Sequence, residues 1–308
     1  MLDLHRLRVL REVARTGSFS AAARELRITP SAVSQQIGAL ERSLGLPVVH
    51  RGPRGVSVTE PGRMLADVTA ELDGDLGQVE RHLAAYADGL VGRLAIATFP
   101  TAGLALLPRA LVGLTARTEV ELDVRESEPQ DTVPLLAAGG ADLGIVYHFF
   151  TPAPPREWAA EYEYTPLLGE EMYAALPARH PLADRAEIEL ADLADERWVQ
   201  GVRDCGLQTD QYCLAAGFPP RTACRASDYG FMQTLVAGGV GVALVPALAM
   251  APQIEGLAFV RVRPFPHRYV GVLRRKGRWH PPLGSELVDR LRETAADLAK
   301  PGITPLVR

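Results

Sequence analysis

Apolar and polar positions follow three different rhythms along this chain, and each predicts a different kind of element. Between Gly17 and Gly45 the period is helical: Ala22, Ala23 and Leu26 share one face of a short helix, and their small size lets a second helix cross closely. That second helix is predicted to begin at Thr29, a good N-cap, followed by Pro30, whose missing N–H costs nothing at a first helical position. Val33, Ile37, Leu40 and Leu44 keep the same spacing toward a core, which leaves Ser31, Ser34, Gln35 and Gln36 on or near the outer face. After Leu46-Pro47 the rhythm changes. Val48-Val49-His50-Arg51, the turn Gly52-Pro53-Arg54-Gly55 and the alternating Val56-Ser57-Val58 predict a two-stranded ribbon with a basic turn.

A seam comes next. Leu65, Val68, Leu72, Leu76, Val79, Leu83, Tyr86 and Leu90 recur at steps of three and four, which predicts one long helix pairing with a second copy of itself. Gly74 and Gly77 weaken that helix by about 1 kcal/mol each and allow some bending. From Gly92 strands and helices alternate: strands at 94–97, 120–124 and 143–146 with helices at 104–115 and 133–138, then strands at 172–176 and 242–245 with helices at 208–216 and 231–237. A strand at 269–273 and a helix at 283–298 return to the first group. Such units indicate an α/β domain with a largely parallel sheet.

The chemistry of the first segment is that of a helix-turn-helix. Hydroxyls and amides at the start of its second helix are the groups that bond base edges and phosphates when that end enters a major groove. The candidate DNA-binding residues are Ser18, Ser20, Thr29, Pro30, Ser31, Ser34 and Gln35, with Arg51 and Arg54 of the ribbon set against phosphates or into a minor groove. Charge follows the same division. Residues 1–63 hold ten arginines and five carboxylates, whereas the remainder holds 23 basic and 32 acidic side chains, so the basic end is the expected DNA end although the whole chain is at −4.

The order from Leu7 and Val13-Ala14 through GSFSAAARELRITPSAVSQQIGALERSLG to Thr59-Glu60-Pro61-Gly62-Arg63 resembles the N-terminal domain of LysR-type transcriptional regulators. Val48-Val49 stands where that family usually has Leu-Phe, and Pro61 where Ala is common. The stretch His180-Pro181-Leu182-Ala183 and the run from Val236 to Pro246 carry a looser resemblance to the family's effector domain. It implies an α/β protein with an N-terminal all-α winged helix-turn-helix and a two-lobed, periplasmic-binding-protein-like effector domain. The implied division is residues 1–59 for the DNA-binding domain, 60–90 for the linker and dimerisation helix, 91–165 with 267–308 for one lobe, and 166–266 for the other. Implied partners are double-stranded operator DNA, a small-molecule effector, and further copies of the chain as a dimer or tetramer; no cofactor and no membrane partner are expected.

A ligand cleft belongs beyond the carboxyl ends of the strands and at helix N-termini. There the sequence offers Thr98, Phe99, Thr101, Tyr147, His148, Arg203, Asp228 and Tyr229: hydroxyls, aromatic surface, and in Arg203 a partner for an anion. The expected effector is small and anionic or aromatic. Plainer roles exist for the same residues: Arg203 paired with Asp204 or Asp228, His148 as a satisfied histidine, Thr98 and Thr101 as helix caps.

Two other function classes leave weaker traces. Cys205 and Cys213 sit where peroxide-sensing members of the resembled family place a reactive pair, but aligning Cys213 with the second position puts Asp204 at the first. No metal-ligand cluster, Gly-x-Ser-x-Gly elbow, phosphate loop or Gly-x-Gly-x-x-Gly fingerprint is present, so the chain is read as a regulator and not an enzyme. The three cysteines suit neither a disulfide framework nor a zinc site. No apolar run approaches the ~20 residues of a membrane span, and Asp3, Arg6 and Arg8 fall where a secretory signal would be apolar, so the cytoplasm is the expected compartment.

Overall fold

A computed structural model describes residues 2–52, 55–90, 92–115, 119–202, 204–264 and 266–306, and of Asp204 and Cys205 the backbone alone. Arg54, Arg203 and the side chain of Cys205, all named above, lie outside the described residues. The chain divides into two compact units, residues 1–84 with 137–140, and residues 85–136 with 141–308.

The first unit opens with three helices, α1 (Leu4–Thr16), α2 (Phe19–Glu25) and α3 (Pro30–Leu44). Each starts on a polar cap: Asp3 accepts from the backbone N–H of His5, Ser18 from Ala21, and Thr29 from Ala32 at 3.2 Å. Glycines in the left-handed region close two of them, Gly17 at φ 64° and Gly45 at φ 71°. Leu7, Leu10, Val13, Ala22, Ala23, Val33, Ile37 and Leu40 form their buried core. Strands β1 (Val49–Gly52) and β2 (Gly55–Val58) pair antiparallel, with Val49 opposite Val58 and Arg51 opposite Val56. The ribbon is tied down at its base. Glu41 accepts from the N–H of Val48 at 3.0 Å, and Val48 and Val49 are both buried in the helical core, so the shorter side chains at these positions still fill it.

Helix α4 (Glu60–Ala87) continues without a break for 28 residues through both of its central glycines. The expected allowance for bending is therefore not used to interrupt it. Gly74 has a packing reason instead: a Cβ there would stand 2.7 Å from the carbonyl oxygen of Ala138, and one on Gly139 would strike Gly74 in turn.

The second unit contains β3 (Gly92–Thr98), α5 (Pro100–Ala105), α6 (Leu107–Thr115), β4 (Val120–Glu126), α7 (Pro129–Ala137), β5 (Leu143–Phe149), α8 (Arg156–Glu161) and β6 (Tyr162–Pro177). It continues with β7 (Glu187–Glu189), β8 (Arg197–Gly201), α9 (Asp204–Ala215), β9 (Arg221–Ala226), α10 (Tyr229–Ala237), β10 (Ala243–Pro246), β11 (Leu257–Arg263), β12 (His267–Arg275), α11 (Pro282–Asp297) and β13 (Ile303–Pro305). The main sheet runs β4-β3-β5-β12-β6-β11-β7, with β10 and β13 also on β6, while β8 and β9 form a separate parallel pair.

The sheet is mixed, not largely parallel. Where helices cross over, around β3, β4 and β5, the strands are parallel. The long strand β6 carries the chain out to a second group of strands, pairing first with β12 and then with β10 and β11, and β12 brings it back, so these neighbours run antiparallel. Two lobes result. One buried cluster runs through both groups of strands, from Leu94, Ile96, Leu143 and Val270 to Val199, Ala226 and Val245, and a second, with Trp198, Leu244, Val262 and Phe218, belongs to the outer group alone.

Candidate functional site

On the head, α3 presents the residues expected to meet DNA. Thr29, Pro30, Ser31 and Gln35 are exposed and Ser34 is half-buried, on the side opposite the buried Val33, Ile37 and Leu40. The hydroxyls of Thr29 and Ser31 stand 2.9 Å apart at the helix start. Ser20 is exposed on α2, whereas the hydroxyl of Ser18 is engaged as that helix's cap at 3.4 Å. Arg51 is exposed on the ribbon, its guanidinium carbon 5.1 Å from the centre of the Phe19 ring, so a cation is held beside the start of α2. Along α4, Val68, Leu72, Leu76, Val79, Leu83 and Tyr86 form an apolar stripe that is 41–60% exposed in the single chain.

The second unit holds a cavity of about 260 Å³. Of the expected cleft residues, Phe99, Thr101, Tyr147, Asp228 and Tyr229 line it. Its floor is Arg268, which is not among the residues expected from sequence. Arg268 is completely buried, with Nε 2.8 Å from a carboxylate oxygen of Glu170 and Nη2 2.8 Å from the hydroxyl of Thr101. Its guanidinium lies 5.0 Å from the ring centres of Phe99 and Tyr147 and 5.7 Å from that of Tyr229. Glu170, equally buried, uses its other oxygen to accept the N–H of Leu248 at 2.7 Å. A signal for Arg268 existed in the strand's alternation: it shares the inward phase of β12 with Val270 and Val272, so a charge had to be buried there.

The wall of this cavity is acidic. Glu126, Glu128, Asp131 and Asp228 line it, and the charge of Arg268 is already met by Glu170. Glu128 accepts from the Tyr147 hydroxyl at 2.7 Å, and Asp228 caps α10 through the N–H of Phe231 at 2.8 Å.

Two expected cleft residues are elsewhere. Thr98 is buried at the end of β3 with its hydroxyl turned to the Phe99 carbonyl, and it does not line the cavity. His148 follows Tyr147 on β5 and therefore points to the opposite face. There its Nε2 lies 3.0 Å from the Tyr164 hydroxyl, its ring stacks on Tyr269 at 5.6 Å, and burial lowers its pKa to about 4. It lines a different, more open cavity with Trp158, Phe150 and Gln208, and the satisfied-histidine role is the one its contacts describe.

Cys213 is buried against the second core cluster, and its thiol is pushed up to about 12 by burial and by Asp210. The backbones of Cys205 and Cys213 both belong to α9. Eight residues of helix separate them by roughly 12 Å, beyond the Cα spacing a disulfide spans. Among the described residues no cluster of three or more His, Cys, Asp or Glu could hold a metal, and no helix is long and apolar enough to cross a membrane.

Comparison with known proteins adds the family to this geometry. Residues 4–63 match the model of the bacterial regulatory helix-turn-helix protein, lysR family, and residues 87–296 match the LysR substrate binding domain. The DNA-binding transcriptional dual regulator OxyR of Escherichia coli is 28% identical over 284 residues, 90% of each chain. The HTH-type transcriptional regulator SsuR of Burkholderia cenocepacia is 28% identical over 257 residues, 82% of each. Among solved structures, full-length CbnR complexed with its target DNA aligns with a TM-score of 0.60 at 23% identity, over 95% of this chain and 100% of that one. A full-length OxyR variant from Pseudomonas aeruginosa aligns with a TM-score of 0.60 at 22% identity, over 95% of both. With a matching DNA-binding head and a matching effector domain, the chain belongs to the LysR family of bacterial DNA-binding transcriptional regulators.

Proposed function

We propose that the protein works as a dimer joined along α4, reads an operator with α3, and changes its DNA contacts when a small molecule fills the cavity floored by Arg268. The carrying observation is the polar, exposed start of α3, together with a ribbon arginine held beside α2, on a head whose charge is strongly positive. Ser31, Ser34 and Gln35 face the major groove, with Ser20, Thr29 and Pro30 positioning that end of the helix, and Arg51 and Arg54 hold backbone phosphates. Ser18 serves the head as a cap. The lobe division at residues 91–165 with 267–308 and 166–266 goes with this reading, as does a second self-contact at the edge strand β4. The regulator performs no catalysis and works in the cytoplasm, where its DNA is.

The effector is small and carries a planar apolar part, because aromatic rings line a cavity of about 260 Å³. The carboxylates of Glu126 and Asp228 in its wall favour hydrogen-bond donors or a positive charge on it. A redox switch has less support, given one buried thiol and a helix between the two cysteines.

Two experiments test the two halves. Gln35→Ala should weaken binding selectively at some base positions, whereas Arg51→Ala should weaken it nearly uniformly across sequences and flatten its salt dependence by about one unit of slope. A sequence-selective loss in Arg51→Ala would contradict the assignment. Benzylamine and benzoate, matched in size and opposite in charge, separate the effector classes by calorimetry: benzylamine should bind more tightly, and equal or tighter binding of benzoate removes the cation preference.

A further inference from the structure

The face of α4 that turns to the head packs Leu65 against the head's core and is otherwise small or polar, unlike the neighbouring apolar stripe. Gly62, Ala66 and Thr69 are buried, and a Cβ on Gly62 would collide with the carbonyl oxygen of Val48, so the first turn of α4 lies directly on the ribbon base. Thr59 reinforces that attachment by donating to the Pro47 carbonyl at 2.9 Å, while its hydroxyl caps Gly62. Eleven residues further on, roughly 16 Å along the helix, Asp73 makes the second attachment. One of its oxygens accepts from Arg8 Nε at 2.6 Å and the other from Arg11 Nη1. The Asp73 side chain is only 14% exposed. Arg8 and Arg11 lie one turn apart on α1, whose inner face packs on α2 and α3.

A rod attached at one point pivots; attached at two, it has a direction. We propose that Asp73 is a positioning residue that sets the separation of the two recognition helices in the DNA-bound dimer, and hence the spacing of the half-sites the dimer accepts. This rests on the dimeric DNA-binding reading given above. The chemistry suits the task. Two arginines on one carboxylate give charge-assisted, directional bonds in which each oxygen has its own donor. Both arginines keep their outer ends toward solvent, at 44% and 37% exposed, so the pairing adds modestly to stability and the consequence of the clamp is geometric. A head displacement of a few ångström matches one base pair, about 3.4 Å along the duplex.

The test is selection of DNA from a random library by the full-length protein, which reports half-site sequence and half-site spacing together. Wild type should enrich paired half-sites at one spacing. With Asp73→Asn, and independently with Arg8→Ala combined with Arg11→Ala, the same half-site sequence should return, with the preference for that spacing over neighbouring ones reduced by about tenfold, the scale of one lost charge-assisted bond. Circular dichroism and thermal melting establish that each variant is folded. An unchanged spacing in either folded variant overturns the proposal, as does loss of half-site sequence preference along with spacing. A wild-type pool without paired half-sites defeats the dimeric reading instead, and is told apart by occurring before any substitution.

Discussion

Arg268 and Glu170 are a fully buried ion pair, and removing one partner leaves the other a buried charge without its counter-ion. Arg268→Met should therefore destabilise the protein by about 3–5 kcal/mol, and pairing it with Glu170→Leu should restore much of that loss. Urea unfolding of the two single variants and the double variant checks this, and an additive double variant would mean that the two charges do not depend on each other. His148 makes a pH prediction. Its folded pKa of about 4 lies below the ordinary 6.5, so between those values the unfolded chain takes up a proton that the native one refuses. Its contribution is fully present above pH 6.5 and is lost as pH falls toward 4, by up to about 3 kcal/mol. His148→Phe should flatten the fall in urea midpoint between pH 7 and pH 4.5, and an unchanged fall would show that other groups cause it. These two residues also mark what could be read in advance. Arg203 falls beside a predicted helix start, a local signal; Arg268 lies inside a strand, where the inward phase alone marks it as a buried charge. Tyr147 and His148 were read together because they are neighbours in sequence, but a strand sends neighbours to opposite faces.

Helical elements were legible because their signals are local. Thr29-Pro30 opens α3 where predicted, and the heptad spacing of residues 68–86 lies on one helix with its apolar stripe outward, whereas Leu65 packs against the head core and Leu90 falls beyond the helix end. An acidic side chain in that stripe should separate the dimer: Leu76→Asp is expected to shift the sedimentation of the protein toward the monomer and to weaken operator binding with it. A variant that sediments as wild type would place the self-contact on another surface. Gly62→Ala should destabilise the head without altering the stripe, because its Cβ has only backbone to meet at Val48. Strands were harder to read. β8 and β9 carry no strand signal in sequence, because Arg197, Gln200, Arg221 and Arg225 interrupt any apolar run and their pairing depends on residues some two dozen positions apart. The predicted helix at 104–115 is two helices that meet at Leu106, and the first of them, α5, begins already at Pro100, which puts Thr101 in its first turn at the cavity.

At the scale of the whole molecule, order and composition carried the architecture further than they carried the binding site. The basic head, the seam and the strand-helix units are each visible in contiguous sequence. The cavity instead gathers Phe99, Glu128, Tyr147, Asp228 and Arg268 from five separate stretches, and long-range pairing of β6 with β12 is what brings the last of them in. The mixed sheet has the same origin, since strand direction depends on how the chain returns from the second group of strands. The central claim, that this head recognises a specific operator, is tested most directly by footprinting the purified full-length protein on the DNA beside its own gene in the presence of excess competitor DNA. The account predicts a protected, interrupted palindrome whose binding survives competitor and moderate salt. Protection that spreads without preference and disappears as competitor is added would contradict it.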